Sequence, residues 1–285
     1  MNTSLDLTEP RPVHFTGADG ITLAGEERGP ADGSLVVMLH GGGQNRHSWR
    51  RAGQALARTG HRVVALDARG HGDSQWAGPG GYHPDLLIGD VTAVLDQLDR
   101  PAVLVGASMG GLIGIAAASH AGPEQVTSLL LVDVVPRIER QGSDRIFTFM
   151  SGHPEGFATL DEAADAVAAY LPSSGRGRNP DGLRRNLRQR PDGRWYWHWD
   201  PAFLTDVSNA LDQRAADLEA AAARLRIPVL LLHGGRSDVV TADSVRAFAA
   251  LLPTAQVVTL PQAAHTAAGD DNDAFTQAVL DFILT

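Results

Sequence analysis

A doubly wound α/β fold on a mostly parallel sheet of about eight strands is the fold class this sequence predicts. Three observations predict it. Short apolar runs of strand length recur along the chain, amphipathic stretches of helical length separate them, and the runs are apolar throughout rather than alternating. Continuous apolarity is the pattern of strands covered on both faces, and a βαβα rhythm with both faces covered means a parallel sheet.

Each element can be justified in turn. Residues 13–29, "VHFTGADGITLAGEERG", read as a hairpin around Gly17 to Gly20 and supply an antiparallel edge. The buried strands are "LVVMLH" (35–40), "RVVALD" (62–67), "AVLVGA" (102–107), "SLLLVDVV" (128–135), "PVLLLHG" (228–234) and "AQVVTL" (255–260). Helical patterns fall between them, as in "DLLIGDVTAVLDQL" (85–98) and "SVRAFAALL" (244–252). From Pro136 to Ile227 the rhythm stops. This stretch holds helix-like pieces, an Arg-, Gly- and Pro-rich loop and the aromatic run Trp195-Tyr196-Trp197-His198-Trp199. The expected organisation is a core domain over 1–135 and 228–285, with an inserted, mainly helical cap over 136–227.

Bulk properties narrow the function. A net charge of −9 and a pI near 5.6 oppose binding to nucleic acid or an anionic membrane. The Arg-rich loop at 176–194, in so acidic a chain, reads as a solvated loop rather than a nucleic-acid patch. There is no cysteine, which excludes disulfides, thiolate metal sites and a Cys nucleophile. The N-terminus lacks a secretory pattern, and no apolar run approaches the ~18 residues of a membrane span. A soluble, cytoplasmic protein is expected.

In an open parallel sheet, ligands bind outside the carboxyl ends of the strands. Reactive side chains gather there. "AVLVGA" ends at Ser108, "PVLLLHG" is followed by "GRSD" with Asp238, and "AQVVTL" is followed by "PQAAH" with His265. Ser, Asp and His thus follow one another along the chain at one sheet edge. Gly106-Ala107-Ser108-Met109-Gly110 matches G-x-S-x-G in a strand–turn–helix setting.

With "HGG" after the first parallel strand, "DARGHGDS" (67–74) after the next and "LHGGRSD" before the acid, the chain resembles the α/β-hydrolase family over nearly everything outside the cap. The resemblance implies a serine hydrolase acting on a carboxylic ester or lactone of a small to medium apolar substrate, with no metal or organic cofactor. Ser108 would be the nucleophile, His265 the base that takes its proton, and Asp238 the acid that fixes the imidazole tautomer. The oxyanion hole would be the N–H groups of Met109 and Gly42. The run His40-Gly41-Gly42-Gly43 leaves Gly43 open as a donor or pocket residue.

Rival readings stand beside these. Asp133, at the end of "LLLVD", is the alternative acid; "HGGRSD" favours Asp238 because it matches the usual acid loop. His40, His71 and His233 read as structural loop residues, and His198 as either a pocket contact or a surface residue. Trp197 and its neighbours read as the cap's own core or as a pocket wall. Pairs such as His71/Asp73 have no third ligand nearby, so no metal site is expected. Cofactor-free haloperoxidases (perhydrolases) and C–C bond hydrolases are similar to this chain in using the same triad. A non-catalytic ligand-binding descendant is disfavoured, because a candidate for every triad member is present.

Overall fold

A computed structural model describes residues 8–171, 179–207, 214–263, 265 and 273–284. The start of the helix-like stretch "ALDQRAADLEAAAARL" (210–225) and residues 176–178 of the Arg-rich loop lie outside these.

The chain forms β1 (Arg11–Thr16), β2 (Thr22–Arg28), β3 (Leu35–Leu39), α1 (Arg50–Arg58), β4 (Arg62–Leu66), α2 (Pro84–Leu98), β5 (Ala102–Ala107), α3 (Met109–Ala121) and β6 (Val126–Val132). After a long intervening segment come β9 (Val229–Gly234), α8 (Ala242–Leu251), β10 (Gln256–Leu260) and α9 (Asp273–Ile283). Eight strands make one sheet in the order β1-β2-β4-β3-β5-β6-β9-β10. Only the β1/β2 and β2/β4 pairings are antiparallel. The fold is therefore the predicted one, hairpin edge included.

Side chains on a strand point alternately to its two faces. In β3, Leu35, Val37 and Leu39 enter a core shared with α2 and α3, while Val36 and Met38 enter a second core with Trp49, Leu56, Phe275 and Val279. β5, β6 and β9 divide in the same way, for example Leu104 from Val105 and Leu231 from Leu232. Two cores, one per face, are why these strands carry no polar alternation. β10 departs from the expected buried strand: it is the sheet edge, and Val257 and Val258 are exposed.

The segment between β6 and β9 contains α4 (Arg140–Ser151), α5 (Leu160–Tyr170), a short antiparallel ribbon of β7 (Leu187–Gln189) and β8 (Trp195–Trp197), α6 (Pro201–Val207) and α7 (Ala215–Arg224). The ribbon is an addition to the helical expectation, formed because "WYW" alternates and finds a partner strand. α7 packs on α3, so the last helix before β9 lies against the sheet layer rather than with the elements over the strand ends.

Candidate active site

Ser108 sits between β5 and α3 with φ 48° and ψ −119°, a backbone conformation that side chains other than glycine's rarely adopt. The turn is held by Ser108 N–H donating to Val132 O at 3.2 Å, and by Ser108 O accepting from Gly111 and Leu112 N–H. The flanking glycines allow close backbone approach. A Cβ on Gly106 would lie 2.5 Å from Gly110 O, and one on Gly110 would lie 2.3 Å from Leu39 O.

His265 lies 3.1 Å through Nε2 from Ser108 Oγ, and its Nδ1 is 2.8 Å from Asp133 Oδ2. A carboxylate can only accept, so Nδ1 carries the proton and Nε2 faces the hydroxyl as an acceptor. Asp133 is fully buried. Its Oδ1 accepts from Gly234 N–H at 2.8 Å and its Oδ2 also accepts from Ser237 Oγ–H at 2.5 Å.

Asp238, the acid expected from the sequence, is elsewhere. Its carboxylate pairs with Arg145 of α4 at 2.8 Å, with both side chains nearly half exposed. The reason lies in the path of the loop. "GRSD" turns back at Gly234 and Ser237 to supply donors for Asp133, and by Asp238 it has reached α4, where Gly142 packs against the Asp238 carbonyl. The loop expected to carry the acid thus buttresses Asp133, the aspartate offered by the neighbouring strand. Ser237 and Gly234 went unrecognised in the sequence; their signal is adjacency to a strand ending in "LLLVD".

Two buried histidines stitch the glycine loop after β3 to "DARGHGDS". His40 donates from Nδ1 to Gly41 O at 2.7 Å and accepts at Nε2 from Ala68 N–H at 2.9 Å. His71 donates from Nδ1 to Arg69 O and accepts at Nε2 from Gly43 N–H, both at 3.2 Å. Both are neutral in this arrangement, because a second ring proton would face an N–H donor. Burial pushes His40 below the usual imidazole range, and burial together with the nearby His40 pushes His71 down to about 3.

With Gly43 N–H taken by His71 and Gly41 N–H by Gln44 Oε1, the N–H groups of Gly42 and Met109 have no hydrogen-bond partner among the described residues. Met109 opens α3, so its N–H has no partner within the helix either.

A pocket of about 290 Å³ opens over Ser108 and His265. Gly42, Gly43, Phe149, Tyr170, Trp197 and Trp199 contribute to its walls. Trp197 stacks on Trp199 at 4.8 Å between ring centroids and meets Phe157 edge-on, so it is both core and pocket wall. His198 does not line the pocket. One residue past β8 it is buried, and its Nδ1 accepts from Gly72 N–H at 2.7 Å. Among the described residues no group of three or more His, Cys, Asp or Glu is placed to hold a metal ion, and no helix is long and apolar enough to cross a membrane.

Comparison with known proteins agrees with this architecture. Over 218 residues, 72% of this chain and 67% of the relative, it is 34% identical to an esterase of Mycobacterium tuberculosis. Over 162 residues it is 30% identical to protein phosphatase methylesterase 1 of Homo sapiens, covering 55% of this chain and only 41% of that protein. The chain therefore spans less than half of the human relative. The crystal structure of the enol-lactonase from Burkholderia xenovorans LB400 superposes with a TM-score of 0.74 at 28% identity, covering 96% of this chain and all of that one. The pattern of the alpha/beta hydrolase fold matches residues 34–271. With the strand order, the glycine-flanked serine and this match over most of its length, the chain belongs to the alpha/beta hydrolase fold family.

Proposed function

We propose that the protein is a serine hydrolase of carboxylic esters or lactones, working through an acyl-enzyme on Ser108. The observation that carries this reading is the continuous relay from Ser108 Oγ to His265 Nε2 and from His265 Nδ1 to Asp133. A serine alcohol is a weak nucleophile until a base removes its proton during attack. His265 Nε2 takes that proton as Ser108 Oγ bonds to the ester carbonyl carbon. The imidazolium so formed is stabilised by the buried Asp133. The carbonyl oxygen becomes an oxyanion received by the N–H groups of Gly42 and Met109, and the N-terminus of α3 adds favourable potential. When the tetrahedral adduct collapses, His265 Nε2–H protonates the leaving alkoxide. Water, deprotonated by the same nitrogen, then releases the acid and restores Ser108. Apart from the substrate and the hydrolytic water, every group in these steps belongs to the chain itself. Residues 136–227 act as the cap, whose Phe149, Tyr170, Trp197 and Trp199 give the pocket an aromatic wall suited to small or medium acyl chains.

The esterase relative and the enol-lactonase neighbour support carboxylic ester and lactone chemistry over other uses of the triad. The test is a fluorophosphonate label with peptide mapping, alongside p-nitrophenyl esters of increasing chain length. Labelling at Ser108, lost in Ser108→Ala, and ester turnover are expected. Folded protein that neither labels at Ser108 nor turns over any ester overturns the reading.

A further inference from the structure

Among the described residues the pocket over Ser108 has no Asp or Glu in its lining, and the one permanently charged lining residue is Arg185. In a chain of net charge −9 this reverses the sign locally. Among the described residues, the neighbouring arginines are engaged. Arg184 reaches Asp181 and lies over Trp195, Arg188 pairs with Asp73, Arg190 covers Tyr196, and Arg194 donates to the carbonyls of Glu155 and Gly156. Arg185 has no ion pair among the described residues.

Its backbone is fixed on both sides. The Arg185 carbonyl accepts from Asn45 Nδ2 at 2.9 Å, and the Asn186 carbonyl accepts from His198 N–H at 3.1 Å. Asn45 follows the glycine loop closely, so Arg185 is tied to the same loop that presents Gly42. Its charge is felt in the pocket. His47, another lining residue, is held below the usual imidazole range by burial, against the opposing pull of Glu26 at 3.3 Å and of Asp67, with the charge of Arg46 and, last, that of Arg185 adding to the lowering.

We propose that Arg185 binds a carboxylate of the substrate, so that the preferred substrates are half-esters or lactones whose acyl chain ends in a second, ionised acid group. This rests on the ester-hydrolase reading above. A guanidinium presents parallel N–H donors that match a carboxylate in a two-pronged geometry. With no acidic side chain among the described lining residues to compete, the substrate supplies the missing anion. Anchoring the far end of the chain also sets where along it the carbonyl meets Ser108, so Arg185 selects for length as well as charge.

The experiment compares kcat/KM for mono-p-nitrophenyl glutarate with that for p-nitrophenyl pentanoate, its neutral counterpart. The wild-type protein is expected to favour the anionic ester. Arg185→Gln should lower the anionic-to-neutral ratio roughly tenfold or more, as loss of a charged hydrogen-bond pair does. Arg185→Lys should restore part of the ratio, and Arg184→Gln should leave it unchanged. A ratio untouched by Arg185→Gln, or a wild-type preference for the neutral ester, overturns the proposal. Glutarate should inhibit competitively and inorganic phosphate at equal ionic strength should not; the opposite result also overturns it. If no ester is turned over, calorimetry with glutarate on Ser108→Ala decides Arg185 separately. Binding lost on adding Arg185→Gln supports the anchor, and no binding overturns it.

Discussion

Replacing Asp133 by Asn separates the two candidate acids. The carboxylate receives three donors: His265 Nδ1–H and Ser237 Oγ–H on Oδ2, and Gly234 N–H on Oδ1. An amide has only one oxygen to offer them. If its NH2 faces Gly234, two donors oppose each other in a buried site, at about 1–3 kcal/mol of stability. If its NH2 faces His265, the imidazole must accept at Nδ1 and carry its proton on Nε2, where it can no longer take the Ser108 proton. Wrong-tautomer substitutions of this type lower kcat by roughly 10⁴-fold, or about 5.4 kcal/mol of transition-state stabilisation. Asp238→Asn removes only a half-exposed pair with Arg145, worth ~0–1 kcal/mol, and should change kcat less than about threefold. The assay is kcat for p-nitrophenyl butyrate, with circular dichroism confirming folding. A variant Asp238→Asn that loses activity while Asp133→Asn keeps it would refute this assignment.

Three further outcomes are expected. His71 has a depressed pKa in the fold, about 3 against ~6.5 unfolded, so below pH 6.5 the unfolded chain binds a proton that the native one refuses. Stability is therefore full above pH 6.5 and falls as pH drops toward 3, by about 2 kcal/mol between pH 6.5 and 4.5 from this group alone. Urea titrations across that range should show a shallower slope in His71→Gln, and an unchanged slope would remove His71 as the cause. Gly110→Ala places a methyl 2.3 Å from Leu39 O, whereas Gly114→Ala meets the movable Leu129 Cδ1 at 3.2 Å. The first should cost about 1–3 kcal/mol or more and the second less, read as thermal midpoints; equal midpoints would contradict the packing argument. Ser237→Ala leaves Asp133 with two donors and should lower kcat about tenfold, with partial rescue in Ser237→Thr. A Thr variant as slow as the Ala variant would mean the hydroxyl serves only the turn.

The frame was legible because it depends on local pattern. Apolar runs without alternation required both sheet faces to be covered, and the two cores divide each run residue by residue. The meeting of Ser108 and His265 was legible because each closely follows a strand at the carboxyl edge. The aspartate that meets His265 was not, because β6 and β9 are neighbours and each delivers an aspartate near the same place. Which one faces His265 depends on four residues of turn geometry that composition does not encode. His198 was undecided for a related reason. Alternation puts Trp197 and His198 on opposite faces, but only the pairing of β8 with β7 decides which face meets the pocket. The choice between Gly42 and Gly43 rested on a bond from His71, 28 residues away.

Ser108 and Asp133 share a property unrelated to their chemistry. Both have φ of 48°, in the region glycine occupies freely and other residues do not. Such positions store about 1–3 kcal/mol each, more than the ~0.5–1 kcal/mol by which glycine loosens the unfolded chain. Glycine at 108 should thus give an inert protein that melts at a higher temperature than the active one. With Ser108 as the proposed nucleophile, durability and reactivity are opposed at a single Cα, and drift toward greater robustness at this elbow would end in a scaffold that has lost it.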